Sequence, residues 1–145
     1  MSLVRDLLRT KSVEIAMVPP TMTVLEAAQL MTGRSIGSVL VEEHGSLVGI
    51  FTERDVLRRV VAQTLDPATT PLRQVMTGLP LLTCTEEQSL HECRQLMSAR
   101  RIRHLPAVKD GRVIGMLTSG DLLAWQLRDQ QATIQQLEGF VFDNR

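Results

Sequence analysis

Aromatic residues are scarce in this chain. One Trp, three Phe and no Tyr make up 3% of its 145 residues. A flat ligand would therefore be gripped mainly by aliphatic side chains, and the composition argues against a single-stranded nucleic-acid platform, which needs rings for stacking. Cysteine is equally sparse. Cys84 and Cys93 stand nine apart, with no second pair and no His in ligand spacing, so no metal site is read here. Cys93 falls on an apolar helical face and is expected to be a plain buried thiol. An excess of one charge is also lacking: 16 Lys+Arg face 16 Asp+Glu, which removes any overall pull toward nucleic acid or an anionic membrane. No apolar run approaches the roughly 18–20 residues of a membrane span, and the N-terminus has no secretory h-region. A cytoplasmic protein with neither a nucleic-acid nor a membrane partner is expected. What is present is ordinary for a globular protein, with 43% apolar and 22% charged residues. A chain of this size buries roughly 68–70% of its unfolded surface, enough for a true core.

One pattern occurs twice. Gly49-Ile50-Phe51-Thr52-Glu53-Arg54-Asp55 and Gly115-Met116-Leu117-Thr118-Ser119-Gly120-Asp121 each read glycine, two apolar residues, then Thr-x-x-Asp, at a separation of 66 residues. At that offset Leu30-Met31 falls on Leu96-Met97, Arg34 on Arg100, Ile36 on Ile102 and Gly45 on Gly111. Thr23–Leu57 against Ser89–Leu123 gives 11 identities in 35 positions, which marks an internal duplication. Duplicated halves tend to pack about a pseudo-twofold axis, with symmetric clefts at the seam.

Each copy has the same order of signals. In the first, Leu3–Leu8 reads as an amphipathic helical turn and Val13–Val18 as an extended stretch ended by Pro19-Pro20. Thr21 or Thr23 then caps a helix running to about Arg34, with Glu26 completing a capping box after Thr23. Ser38–Glu43 and Leu47–Phe51 are strands joined by His44-Gly45, and Thr52 opens a helix to about Thr64. In the second, Leu72–Met76 is the helical turn, Leu81–Thr83 is extended, Glu86–Arg100 is a helix, and Leu105–Lys109 and Val113–Leu117 are strands joined by Asp110-Gly111. Thr118 opens a long last helix. The predicted fold is α/β (α+β), two pseudo-twofold-related β-α-β-β-α repeats packed through their sheets. The divisions are 1–65 for repeat one with its helical turn, 66–71 for the Pro/Thr-rich linker, 72–128 for repeat two, and 129–145 for a C-terminal helical extension.

The two Gly-h-h-Thr-x-x-Asp segments, each preceded by helix, strand and glycine hairpin, resemble cystathionine-β-synthase (CBS) domains in tandem, a pair termed a Bateman module. The resemblance covers about Leu3 to Trp125, and Arg103-His104-Leu105-Pro106 also matches a frequent second-repeat strand. It implies regulatory binding of an adenosine-containing ligand (AMP, ADP or ATP, with S-adenosylmethionine or NAD as further possibilities) in clefts between the repeats. It also implies association into a disc-shaped homodimer that signals to an effector protein.

Thr-x-x-Asp at a strand-to-helix junction has a plain structural use, since Thr caps the helix and Asp favours the positive end of its dipole. The same turn presents N–H groups and a carboxylate, and a carboxylate suits a ribose diol while a helix start suits phosphate. Asp55 and Asp121 are thus assigned to ribose, with Thr52 and Thr118 orienting the turn. Ile36, Gly37 and Ser38 with Ile102, Arg103 and His104 begin the strands that line the clefts in similar proteins, and the two isoleucines serve equally as core. Ile50 and Met116 carry the same ambiguity. Arg54, Arg103 and His104 are the phosphate candidates, whereas Arg100 and Arg101 read as solvated charges at a helix end. The Asp121 site is expected to be the stronger, because Gly120 opens space and Arg103-His104 adds charge. No nucleophile–base pair, metal cluster or Walker-type loop appears, so the chain is not read as an enzyme. The alternative function is a ligand-free dimerisation or scaffold module. The C-terminal segment favours it: Ile134, Leu137 and Phe140 beside paired glutamines suit a helix packing on a partner chain, or one folded back on its own domain.

Overall fold

The structure, a computed structural model, describes residues 2–11 and 15–143, with side chains described through Gly139. The elements run α1 (Val4–Thr10), β1 (Met17–Val18), α2 (Val24–Arg34), β2 (Ser38–Glu43), β3 (Ser46–Thr52), α3 (Glu53–Asp55) continuing as a π-helical stretch (Val56–Val61), α4 (Leu72–Val75), β4 (Thr77–Gly78), α5 (Leu90–Arg100), β5 (His104–Lys109), β6 (Arg112–Thr118) and α6 (Ser119–Asp143). The strand-helix-strand-strand-helix order is present in repeat one. In repeat two the first strand shrinks to a single parallel bridge, Cys84 to Ala107. Part of the extended stretch expected over Val13–Val18 lies outside the described residues.

Local signals and structure agree where side chain and backbone close on themselves. Thr23, not Thr21, caps α2, and its hydroxyl accepts from the Glu26 N–H. Ser89 caps α5 in the same way through Glu92. This places the start of α5 at Leu90 rather than Glu86, because the cap sits 66 residues after Thr23. Both hairpins turn through two left-handed residues, His44-Gly45 and Asp110-Gly111, the conformation that matches strand twist in two-residue hairpins. Both also carry a bulge at the equivalent point, after Val41 and after Ala107. The helix expected from Thr52 to Thr64 is α-helical for one turn only and then widens to π geometry, Ala62 N–H donating to Leu57 O.

The strands form a four-stranded sheet, β1-β2-β3-β4, and a two-stranded one, β5-β6. β1 runs parallel to β2 and the other pairs are antiparallel. Two cores lie beneath them, and they cut across the chain order. Repeat one's core, built on Phe51, Val24 and Met31, takes Leu72 and Val75 from α4. Repeat two's core, built on Leu105, Leu117 and Cys93, takes Val4 and Leu7 from α1. Backbone bonds tie each borrowed helix down: Val4 N–H to Gln88 O and Leu90 N–H to Ser2 O on one side, Leu72 N–H to Met22 O and Val24 N–H to Thr70 O on the other. Burying the two apolar side chains of each short helix contributes roughly 3–6 kcal/mol as an upper bound.

The borrowed helices explain the motif glycines. A Cβ on Gly115 would lie 2.5 Å from Leu8 Cδ2, and one on Gly49 would lie 2.6 Å from Met76 Sδ and 2.9 Å from the Thr77 carbonyl oxygen. Both cysteines are buried. Nothing among the described residues forms a helix long and apolar enough to cross a membrane.

Candidate functional site

The motif turn carries the same reciprocal capping box in both repeats. In repeat one the Thr52 hydroxyl accepts from the Asp55 N–H at 3.3 Å, and Asp55 Oδ2 accepts from the Thr52 N–H at 2.9 Å and from its hydroxyl at 3.2 Å. In repeat two the Thr118 hydroxyl accepts from the Asp121 N–H at 3.0 Å, and Asp121 Oδ2 accepts from the Thr118 N–H at 3.0 Å. Each box satisfies two N–H groups that a helix start leaves unpaired. In neither aspartate do these contacts use Oδ1.

Two clefts flank the seam, related by the pseudo-twofold. The first, of about 470 Å³, takes Ile50, Thr52, Arg54 and Asp55 from repeat one and Ile102, Arg103 and His104 from repeat two. The second, of about 380 Å³, takes Met116 and Thr118 from repeat two and Ile36, Gly37 and Ser38 from repeat one. Each cleft thus joins the motif strand of one repeat to the first long strand of the other. His104 lines both, packed so close to Gly37 that a Cβ there would stand 3.1 Å from its Nε2. A side chain at Gly37 would have to shift the His104 imidazole by a few tenths of an ångström.

This crossing removes one ground for expecting the Asp121 site to be the stronger. Arg103 lies in the cleft of Asp55, not of Asp121, so the charge assigned to the second site belongs to the first. Asp121 is not on the wall of the second cleft, and its Oδ2 is taken by Lys11 Nζ at 2.6 Å. The same ammonium donates to Met116 O at 2.7 Å. Burial by itself would raise the Asp121 pKa. Hydrogen bonds from Lys11 and Thr118 outweigh it and hold the carboxyl below its ordinary value.

The first cleft is strongly cationic. Arg58, Arg59, Arg100 and Arg101 join Arg54 and Arg103 on its walls, against the carboxylates of Glu53 and Asp55. Arg54 Nη1 donates to Arg101 O at 2.7 Å, a bond between the repeats. Arg59 Nη1 donates to Met76 O at 2.9 Å while its Nε stands 3.6 Å from Asp55 Oδ1. Arg58, Arg100 and Arg103 have no side-chain hydrogen bond or ion pair among the described residues, so their charge is available to an anion. Arg100 and Arg101 are therefore cleft residues rather than only helix-end charges. Arg101 turns α5 into the cleft at φ 54°, as Ser35 does after α2. His104 is pushed below its ordinary pKa, chiefly by burial and further by Lys11, Arg103 and Arg54, against an opposing pull from Glu53. This burial favours the neutral, hydrogen-bonding imidazole over the cation.

Sequence reasoning missed Lys11, Arg58 and Arg59. Arg58 and Arg59 could have been found one turn beyond Asp55. Nothing local marks Lys11, which reaches Asp121 across 110 positions.

A duplicated α+β module with paired clefts at its seam is the class that this fold and site define. The chain belongs to the CBS domain family, whose model matches residues 4–62 and 72–128. It is 36% identical over 132 residues to the CBS domain-containing protein YhcV of Bacillus subtilis, covering 91% of each chain. Its fold matches a structure of a protein with CBS domains from Burkholderia ambifaria at TM-score 0.85 and 34% identity, covering 89% of this chain and 96% of that one. It also matches the CBS domain pair of protein MJ0100, solved with 5′-methylthioadenosine and S-adenosyl-L-methionine, at TM-score 0.77 and 27% identity, covering 89% and 98%. Other curated relatives are far longer, and this chain spans as little as 18% of them.

Proposed function

We propose that this CBS pair is a regulatory rather than a catalytic module, and that it senses an adenine nucleotide in the cleft of Asp55. The observation that carries the reading is the composition of that cleft. Six arginines face two carboxylates, Glu53 and Asp55, beside the aliphatic side chains of Ile50, Leu82 and Ile102. Aliphatic walls suit adenine. Asp55, its cap satisfied through Oδ2, keeps Oδ1 for ribose hydroxyls beside Arg59, whose Nε stands 3.6 Å away, too long for a hydrogen bond. Arg58, Arg100 and Arg103 suit phosphates. The excess of positive charge favours ADP or ATP, then AMP or NAD, over S-adenosylmethionine, whose sulfonium is cationic. MJ0100 binds its adenosine ligands in a pair of this kind, which supports the ligand class. Nucleotide across the seam would couple the repeats through Arg54 and Arg101, and a homodimer or effector protein would read the change. The second cleft, with the Asp121 carboxylate held by Lys11, is the weaker site in this proposal.

The test is thermal melting of the purified protein with AMP, ADP, ATP, NAD and S-adenosylmethionine. A ligand at about 100 times its Kd adds roughly 2.7 kcal/mol. ADP or ATP should raise the midpoint most. Silence across the whole panel would leave the ligand-free scaffold as the better reading.

A further inference from the structure

The two motif aspartates share a cap but meet different cations. Arg59 follows Asp55 by one helical turn, and its Nε stands 3.6 Å from Asp55 Oδ1, beyond hydrogen-bond length. At the 66-residue offset that position is Trp125, which packs on the second core and offers Asp121 no charge. The cation comes instead from outside the repeat. Lys11 is the C-cap residue of α1, three positions past Leu8, whose side chain packs on Gly115. The matching contact in repeat one is Met76 on Gly49. The residue three past Met76, and so the counterpart of Lys11, is Leu79. Leu79 is 65% exposed and has no charge to give Asp55. At the motif carboxylates, therefore, the pseudo-twofold is broken by the pair Lys11 and Leu79.

We infer that Lys11 is a specificity-determining residue that closes the second cleft to nucleotide, so that each chain holds one adenine nucleotide and not two; this rests on the reading of the Asp55 cleft given above. The Lys11 ammonium donates to Asp121 Oδ2 at 2.6 Å and to Met116 O at 2.7 Å. Two anchors, one in α6 and one in β6, fix the side chain along the cleft instead of letting it swing into solvent. Asp121 keeps 26% of its side chain exposed, yet not to the cleft: Lys11, Met116 and Thr118 are on the wall and Asp121 is not. Asp55 is only 12% exposed and does line its own cleft. A ribose diol donates to an acceptor. Where the first cleft offers a carboxylate, the second offers an ammonium, which has donors and no acceptor. Space is not what separates the two sites. The second cleft holds about 380 Å³ against about 470 Å³, and its Ile36 and Met116 stand at the positions of Ile102 and Ile50 in the first. The aliphatic walls and the capped turn are thus in place, and removing Lys11 is enough to return the carboxylate to the cleft.

The experiment is equilibrium dialysis of ADP against the full chain, up to about 1 mM free ADP, enough to fill any site with a Kd of about 0.1 mM or tighter. Wild type should bind one ADP per chain and Lys11→Met two. Lys11→Arg keeps a cation on Asp121 and should bind one. Adding Asp121→Asn to Lys11→Met should weaken the second ADP by roughly 10-fold or more and leave the first unchanged. Lys11→Gln, which also removes the charge, is the second variant if Lys11→Met melts early, and should likewise bind two. Two ADP per wild-type chain, or no gain in a folded Lys11→Met or Lys11→Gln, would overturn the assignment and leave the Asp55 cleft untouched. A wild type that binds none while Lys11→Met binds one would uphold it and sink the Asp55 reading instead.

Discussion

Replacing Asp55 by Asn and by Ala separates its two roles, because the substitutions remove different things. Asp55 is 8% exposed, and its Oδ2 holds both the N–H and the hydroxyl of Thr52. Alanine deletes these bonds and leaves the Thr52 N–H without its side-chain acceptor. Loss of such a cap costs about 1 kcal/mol, with a range of roughly 0.5–2, or a fall of about 2–6 °C in melting midpoint for a chain of this length. Asparagine keeps the shape and an oxygen that can accept from the Thr52 N–H. It forfeits the favourable charge at the helix start, about 0.3–1 kcal/mol, and the half-exposed ion pair with Arg59, which adds at most about 1 kcal/mol. For the nucleotide the order reverses in importance. A carboxylate accepting from ribose hydroxyls makes charged hydrogen bonds worth about 1.5–3 kcal/mol each, against about 1 for a neutral acceptor. Asn should therefore weaken ATP binding by roughly 10-fold or more in a protein that melts within about 3 °C of wild type. Calorimetric titration with ATP, paired with circular-dichroism melts, reads both quantities. If Asp55→Asn binds ATP within about twofold of wild type, the aspartate is a cap and nothing else, and the ribose assignment fails. Asp121→Asn serves as the internal comparison and should change binding less, since Lys11 already engages that carboxylate.

Further predictions concern the fold around the clefts. Gly49→Ala should destabilise more than Gly115→Ala, by roughly 1–3 kcal/mol against about 1. The new methyl meets the Thr77 backbone in one case and only the mobile Leu8 side chain in the other, and urea melts would rank them. His104 has a folded-state pKa below its unfolded value of about 6.5, so the folded protein binds fewer protons. Its contribution to stability is full above pH 6.5 and is lost as pH falls toward the folded value. Denaturant melts between pH 7.5 and 5.5 should show this loss, and His104→Gln should reduce it. Ser35→Gly relieves a left-handed residue at φ 54° and should stabilise by about 1 kcal/mol, visible as a raised melting midpoint.

What the sequence made legible is what short-range chemistry decides. Capping boxes, the His-Gly and Asp-Gly hairpin turns and helix stripes involve residues within four positions of one another, and the 66-residue offset multiplied each signal by two. The cleft assignments failed where the partner is remote. Arg103 belongs with Asp55 because the motif strand of one repeat faces the opening strand of the other, a pairing that linear order hides. Lys11 was invisible for the same reason. The extended stretch expected over Leu81–Thr83 forms no strand because the one ladder contact among the described residues is made by Cys84, one residue on, and the π-helical widening after Asp55 has no counterpart in the apolar periodicity that suggested a simple helix.

The exchange of α1 and α4 has a topological consequence. A protease nick within 66–71 would separate neither half cleanly, since each would depart carrying the lid of the other's interior and leaving its own behind. A chain with only one such repeat would be viable only as a pair of molecules swapping arms. The linker converts that encounter between two molecules into an event within one, and makes the seam, with whatever binds there, a permanent part of the protein.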